Sequence, residues 1–192
     1  MEMLNNAEII SFANVRQWAA WLAKHYEVQA GVWIKIAKKS TGIPTVSHLE
    51  ALDEALCYGW IDGQSKPYDE TYYLQKFTPR RPASLWSKIN IGKVETLLAA
   101  GRMQPAGQAA IDAAKADGRW DRAYQPQSDA TVPDDFATAL ERSPKAKAFF
   151  ETLNKANRYS FIWRVVTAKK AETRQARIAK LITMLEEEKQ FH

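Results

Sequence analysis

The stretch from Gly59 to Pro82 constrains the fold more than any other part of the chain. Gly59, Pro67, Pro79 and Pro82 punctuate it, so it must run as short extended pieces rather than one long helix. Trp60 to Lys66 and Thr71 to Phe77 read as two strands joined through Pro67-Tyr68-Asp69-Glu70, and Pro79 and Pro82 hold Arg80 and Arg81 in an extended segment. Upstream, Gly31 to Lys38 alternates: Val32, Ile34 and Ile36 fall on one side, Trp33, Lys35 and Ala37 on the other. That is the pattern of a half-buried strand. These three segments predict a small three-stranded antiparallel sheet.

Helices are predicted around it. Asn14 and Gln17 form a capping box ahead of Val15, Trp18, Ala19 and Leu22 at helical spacing. Ser47 and Glu50 form another, with Leu49, Leu52 and Leu56 as the apolar stripe and Gly59 as the stop. Ser84 is expected to cap a helix reaching about Ala100, ended by Gly101. Pro105 suits the first turn of the next. Beyond it the stretch Trp120 to Val132 contains Pro126 and few apolar positions and reads as a linker. Short helices then follow from Pro133, Ser143 and Asn157, and Ile178, Leu181, Ile182 and Leu185 pattern the last one. The predicted fold class is α+β: a small antiparallel sheet with packed helices over 1–102, a helix and linker over 103–132, and a helical C-terminal module over 133–192.

Composition narrows the functional classes. Apolar residues make up 46% of the 192, enough for a real core. No stretch approaches the roughly 20 consecutive apolar residues of a membrane-spanning helix. The opening MEMLNNAEII lacks the pattern of a secretory signal, so the expected compartment is the cytoplasm. One cysteine, Cys57, allows no internal disulfide, and His25, His48 and His192 lack metal-ligand spacing. Neither a metal nor a cofactor is expected, because no glycine-rich phosphate loop occurs either.

Between residues 55 and 87 a thiol, an acid, two arginines and two tryptophans come close together in sequence, which an ordinary core segment rarely combines. Cys57, near a helix C-terminus where the dipole disfavours a thiolate, reads as buried and inert. Asp62 has three readings: an ion pair with Arg80 or Arg81, a ligand-positioning acid, or a proton-transfer group. Adjacent arginines in an extended segment point to opposite sides, so one of them is expected to pair with Asp62, Asp69 or Glu70 and the other to line a pocket with Trp60 or Trp86. An anionic or planar ligand held by Trp60, Asp62, Arg80, Arg81 and Trp86 is the expectation, beside the plainer one that these residues fix a loop.

Charge is distributed unevenly. From Lys155 to Lys180 there are eight Lys or Arg and one acid, Glu172. Lys170, Arg174 and Arg177 on a shared helical face would supply weak, sequence-independent nucleic-acid binding. A solvated amphipathic face is favoured over that, since no helix-turn-helix or RNA-binding signature accompanies it.

SFANVRQWAAWLAKHY at 11–26, ALCYGWIDGQ at 55–64, YLQKFTPRRPASLWS at 73–87 and RYSFIWRVVTAKKAETRQARI at 158–178 resemble the YdeI/OmpD-associated, or bacteriocin-protection, family of bacterial proteins. The resemblance implies an α+β protein whose helical C-terminal module matches the stretch from Pro133 onward. It also implies a stress or antimicrobial-peptide resistance role. The favoured expectation is a non-enzymatic protein that binds a small anionic ligand or a protein partner through the motif region Cys57 to Ser87. Two alternatives stand beside a non-enzymatic binding protein. One is a small hydrolase or transferase using Asp62 with Arg80 or Arg81, and the other is nucleic-acid binding by the basic helices.

Overall fold

The computed structural model describes residues 2–191, so His192 falls outside them. The chain forms two compact units, one from residues 2–86 with 90–123 and one from 87–89 with 124–191. In the first, a five-stranded mixed sheet has the order β1-β2-β3-β5-β4: β1 (Met3–Leu4), β2 (Ala7–Ile10), β3 (Val32–Ala37), β4 (Trp60–Pro67) and β5 (Tyr72–Pro79).

The expected three-stranded antiparallel sheet is therefore its β3-β5-β4 part, extended by a hairpin that sequence reading missed. Asn5 and Asn6 turn that hairpin with φ of 50° and 62°, a conformation Asn adopts more readily than most residues. Strand β2 then pairs with β3 in parallel, Ile10 opposite Ile34. A local pattern does not disclose parallel pairing, because the crossover through α1 (Val15–His25) depends on tertiary packing.

Helix α1 is capped by Asn14, whose side chain accepts from Gln17 N–H, and α2 (His48–Cys57) has both bonds of the Ser47–Glu50 capping box. Both helices pack on one face of the sheet. Their Trp18, Leu22, Leu52 and Leu56 meet Val32, Ile34, Ile36 and Phe77, the side of β3 that alternation marks as inward. Trp18 and Trp60 are 0% exposed. Removing roughly 150–250 Å² of each from water is worth about 4–6 kcal/mol apiece before the entropic cost of ordering.

Helices α3 (Lys88–Ala99) and α4 (Pro105–Ala116) complete this core through Val94, Leu97, Ile111 and Ala114. Helix α3 begins three residues later than a Ser84 cap predicts. Ser84 instead accepts from Arg81 N–H through its hydroxyl and from Arg119 Nη1 through its carbonyl, and Trp86 turns into the core. On the opposite face of the sheet Ala7, Trp33 and Leu74 form a small cluster, with the ammonium groups of Lys66 and Lys76 5.4 and 5.3 Å from the Trp33 ring.

The second unit is helical, as its periodicity predicts: α5 (Asp134–Glu141), α6 (Pro144–Thr152), α7 (Lys155–Val166) and α8 (Ala171–Glu186). Phe136, Phe150, Phe161, Val165, Leu181 and Leu185 form its own core. No helix among the described residues is long and apolar enough to cross a membrane.

Candidate functional site

The motif region is largely framework. Helix α2 ends at Cys57, and Gly59 takes φ of 73°, where a Cβ would also lie 2.8 Å from the Ala106 carbonyl oxygen. Glycine is needed there twice over. Helix α4 approaches just as closely: a Cβ on Gly107 would lie 2.1 Å from the Cys57 carbonyl oxygen. Under that contact Cys57 is fully buried, and its thiol donates to the Asp53 carbonyl at 3.3 Å. Burial pushes the thiol up to about 11. An inert thiol follows, since the thiolate is the nucleophile.

Trp60 spends its indole N–H on the Tyr26 carbonyl at 2.7 Å and sets its edge against Trp18 and Trp21. The Arg80 guanidinium lies 3.6 Å over the Trp86 ring and donates to the Leu85 carbonyl at 3.1 Å, while Trp86 packs against Trp120. Arg81 points to solvent. The alternation expected of the arginine pair is present, with one side chain in and one out. What the inward arginine does is to fix the 80–86 loop on a tryptophan.

The loop has a second clamp that sequence reading missed. Arg119, 7% exposed, donates from Nε to both oxygens of Asp117 and from Nη1 to the Ser84 carbonyl. Its partner Asp117 is held below the usual carboxylate range, chiefly by that Arg119 hydrogen bond.

Asp62 does not take an arginine as its ion-pair partner. Its Oδ2 lies 2.9 Å from His48 Nε2, both side chains about a third exposed or less, at 28% and 35%. Register explains the meeting. Asp62 stands opposite Phe77 on the helix-bearing face, and His48 is the first residue of α2, which packs on β4. A β-bulge between Asp62 and Ser65 twists the strand at this point, and the buried Gln75 amide donates to the Gly63 carbonyl at 2.9 Å to satisfy it. Asp69, offered as another arginine partner, uses its carboxylate on the Thr71 and Tyr72 N–H groups. A carboxylate only accepts, so the contact with Asp62 places a proton on His48 Nε2 and leaves Nδ1 as the ring's second polar atom.

His48 opens onto a cleft of about 430 Å³ lined by Lys38, Lys39, Thr45, Ser47 and Tyr73 together with apolar Ile36, Ile43 and Leu49. That volume is within the range of small-molecule sites. Leu49, expected in the buried stripe of α2, is 63% exposed, and Ile43 is 42% exposed. Burial raises the Tyr73 hydroxyl above its ordinary value, which keeps it a donor at neutral pH. Lys38 is oriented by the Asp69 carbonyl at 2.9 Å. No carboxylate is among the residues lining this cleft. The arrangement offers two ammonium groups and a phenol to an anionic group, and two exposed aliphatic side chains to an apolar one.

Two of the three basic C-terminal residues are engaged by other elements of their own unit. Lys170 is exposed and precedes α8 as its cap residue. Arg174 makes a two-pronged pair with Asp135 at 2.5 and 2.8 Å and also donates to the Val165 carbonyl. Arg177 donates to the Arg164 carbonyl. These two arginines tie α8 to α5 and α7, which lowers what they offer a phosphate backbone.

Residues 10–110 match the family model described as a domain of unknown function (DUF8412), and residues 129–188 match that described as Bacteriocin-protection, YdeI or OmpD-Associated. No curated protein and no solved structure matches the chain.

Proposed function

For a chain that belongs, through residues 10–110, to the family described as a domain of unknown function (DUF8412), we propose that the first unit binds a small organic anion with an apolar body in the His48 cleft. The observation that carries this reading is the lining itself: Lys38, Lys39, His48 and Tyr73 beside exposed Ile43 and Leu49, with no carboxylate among them. The Lys38 and Lys39 ammonium groups and the Tyr73 hydroxyl supply the donors for the anion, and the aliphatic rim supplies burial. Arg80 and Trp86 support the site by rigidifying the motif loop, without touching the ligand. Titrating the protein with benzoate and with neutral benzamide, followed by amide chemical shifts, tests the reading. Benzoate should shift the residues around His48 and bind about tenfold more tightly than benzamide, the equivalent of about 1.4 kcal/mol. Equal affinity for the two would refute it.

A second reading draws on one observation, the 2.9 Å His48–Asp62 contact in an open cleft. A histidine oriented by a carboxylate is the usual construction of a general base, so a hydrolase or transferase would use this dyad in place of Asp62 with an arginine. Turnover of an ester panel that disappears in His48→Ala would favour it.

At the cellular level the reading is resistance to bacteriocins or related stress, suggested by the match over residues 129–188. Survival of a deletion strain under bacteriocin challenge, complemented by the wild-type gene but not by a His48→Ala copy, would join the cleft to that role.

A further inference from the structure

We infer that the second unit carries a binding site of its own for an amphipathic monocarboxylate, in the cleft where α6 and the start of α7 face the segment 127–132. The cleft holds about 480 Å³. Its floor is hydrocarbon: Phe150, Leu153 and Ile162 are only 5, 7 and 6% exposed and belong to the core of this unit. Its facing wall is latched in place. Tyr159 Oη donates to the Gln125 carbonyl and Lys155 Nζ to the Ser128 carbonyl, each at 3.0 Å, so the opening is a built feature of the loop.

Two cations, Lys155 and Arg158, line the cleft and no acid does. Arg158 is held by its Nη2, which donates to the Glu151 carbonyl. Its Nε–H is shielded from solvent and finds no acceptor among the described residues. A buried guanidinium N–H without an acceptor forfeits a charge-assisted hydrogen bond, which is the strong kind. A carboxylate oxygen entering beside Arg158, with a small turn of the guanidinium toward it, supplies the acceptor and the countercharge together. The floor then calls for an alkyl or aryl body rather than a second polar group, because Phe150, Leu153 and Ile162 have nothing to hydrogen-bond. A cationic amphiphile meets Lys155 and Arg158 and is repelled.

The experiment uses the full chain, with octanoate, 1-octanol, acetate and octyltrimethylammonium as probes followed by backbone amide shifts. Octanoate should perturb residues 127–132 and 150–162 and bind at least tenfold more tightly than 1-octanol or the cation, with acetate showing no saturation. Arg158→Lys, which keeps a charge and loses the Nε donor, should weaken octanoate about tenfold. Ala130→Trp, which fills the cleft without changing its charge, should abolish binding. His48→Ala should leave octanoate affinity at this cleft unchanged, which separates it from the first unit's site. Near-UV circular dichroism confirms that each variant is folded. Octanol binding as tightly as octanoate, shifts confined to the first unit, or full affinity in both Arg158→Lys and Ala130→Trp would each overturn the inference.

Discussion

Replacing Arg80 and Arg81 one at a time separates a structural motif from a ligand-presenting one. In the wild type the Arg80 guanidinium is 3.6 Å over the Trp86 ring, donates to the Leu85 carbonyl, and its backbone N–H donates to the Gly59 carbonyl at 2.9 Å. Truncation to Ala keeps the backbone bond and removes the guanidinium with its contacts to Trp86 and the Leu85 carbonyl. A largely desolvated cation–π contact is worth about 2 kcal/mol, and a hydrogen bond from a charged donor about 1.5–3 kcal/mol. The two share one side chain and are not additive, so Arg80→Ala should cost about 2–4 kcal/mol. Arg81 is exposed and touches the loop through its backbone N–H to Ser84, so Arg81→Ala should stay within about 0.5 kcal/mol. Urea unfolding followed by tryptophan fluorescence is the assay, because Trp18, Trp21, Trp33, Trp60, Trp86 and Trp120 all belong to the first unit. With a slope of about 1–3 kcal/mol per molar urea, a loss of 3 kcal/mol moves the midpoint by about 1–3 M. Equal midpoints for the two variants would refute the assignment of Arg80 as the clamp of the loop.

Three further outcomes follow from the same geometry. Cys57 should react with a thiol reagent at pH 8 only as fast as the first unit opens, so labelling should accelerate in urea, and stoichiometric labelling of the native protein at the rate of free cysteine would contradict its burial. Asp135 is held low chiefly by its Arg174 hydrogen bond. A carboxyl whose folded value lies below its unfolded one stabilises above about pH 4 and loses that contribution as pH falls through the folded value, so Asp135→Asn should flatten the acid limb of the second unit's stability while costing about 1 kcal/mol or less at pH 7. Finally, Gly107→Ala should destabilise by about 1–3 kcal/mol, because the added carbon meets the Cys57 carbonyl oxygen and Met103 Sδ at 2.1 and 2.5 Å, whereas Gly92→Ala, with nothing within 4 Å in helix α3, should stabilise by about 0.5–1 kcal/mol; thermal unfolding of both variants checks the pair.

What the sequence disclosed follows the range of the interactions. The Asn14 cap, the Ser47–Glu50 capping box, the inward set Val32, Ile34 and Ile36, and the helix-ending Gly59 were legible because each is decided within a few residues, although the Gln17 side chain turns to the Ala13 N–H rather than closing a box on Asn14. The opening hairpin carries a local signal in Asn5-Asn6, but four-residue β2 is too short for alternation to register. Ser84 misled because it has the chemistry of a helix cap but spends it on Arg81 and on Arg119, 35 residues on. The His48–Asp62 contact was beyond local reading, since it requires α2 to pack on β4 with Asp62 on the same face as Phe77. The arginine pair drew attention to the acid that histidine in fact holds. For Arg174 and Arg177, charge clustering was visible, but the Asp135 carboxylate and the helix-end carbonyls that engage them come from other elements.

If the His48 cleft binds an organic anion through Lys38, Lys39 and the Tyr73 hydroxyl, benzoate titrations of wild type, Lys38→Ala and Tyr73→Phe at pH 7, followed by amide shifts, will show it. Lys38→Ala should weaken benzoate about tenfold and Tyr73→Phe by a smaller factor, and both should leave binding at the second unit's cleft intact. Unchanged benzoate affinity in both folded variants would contradict this reading.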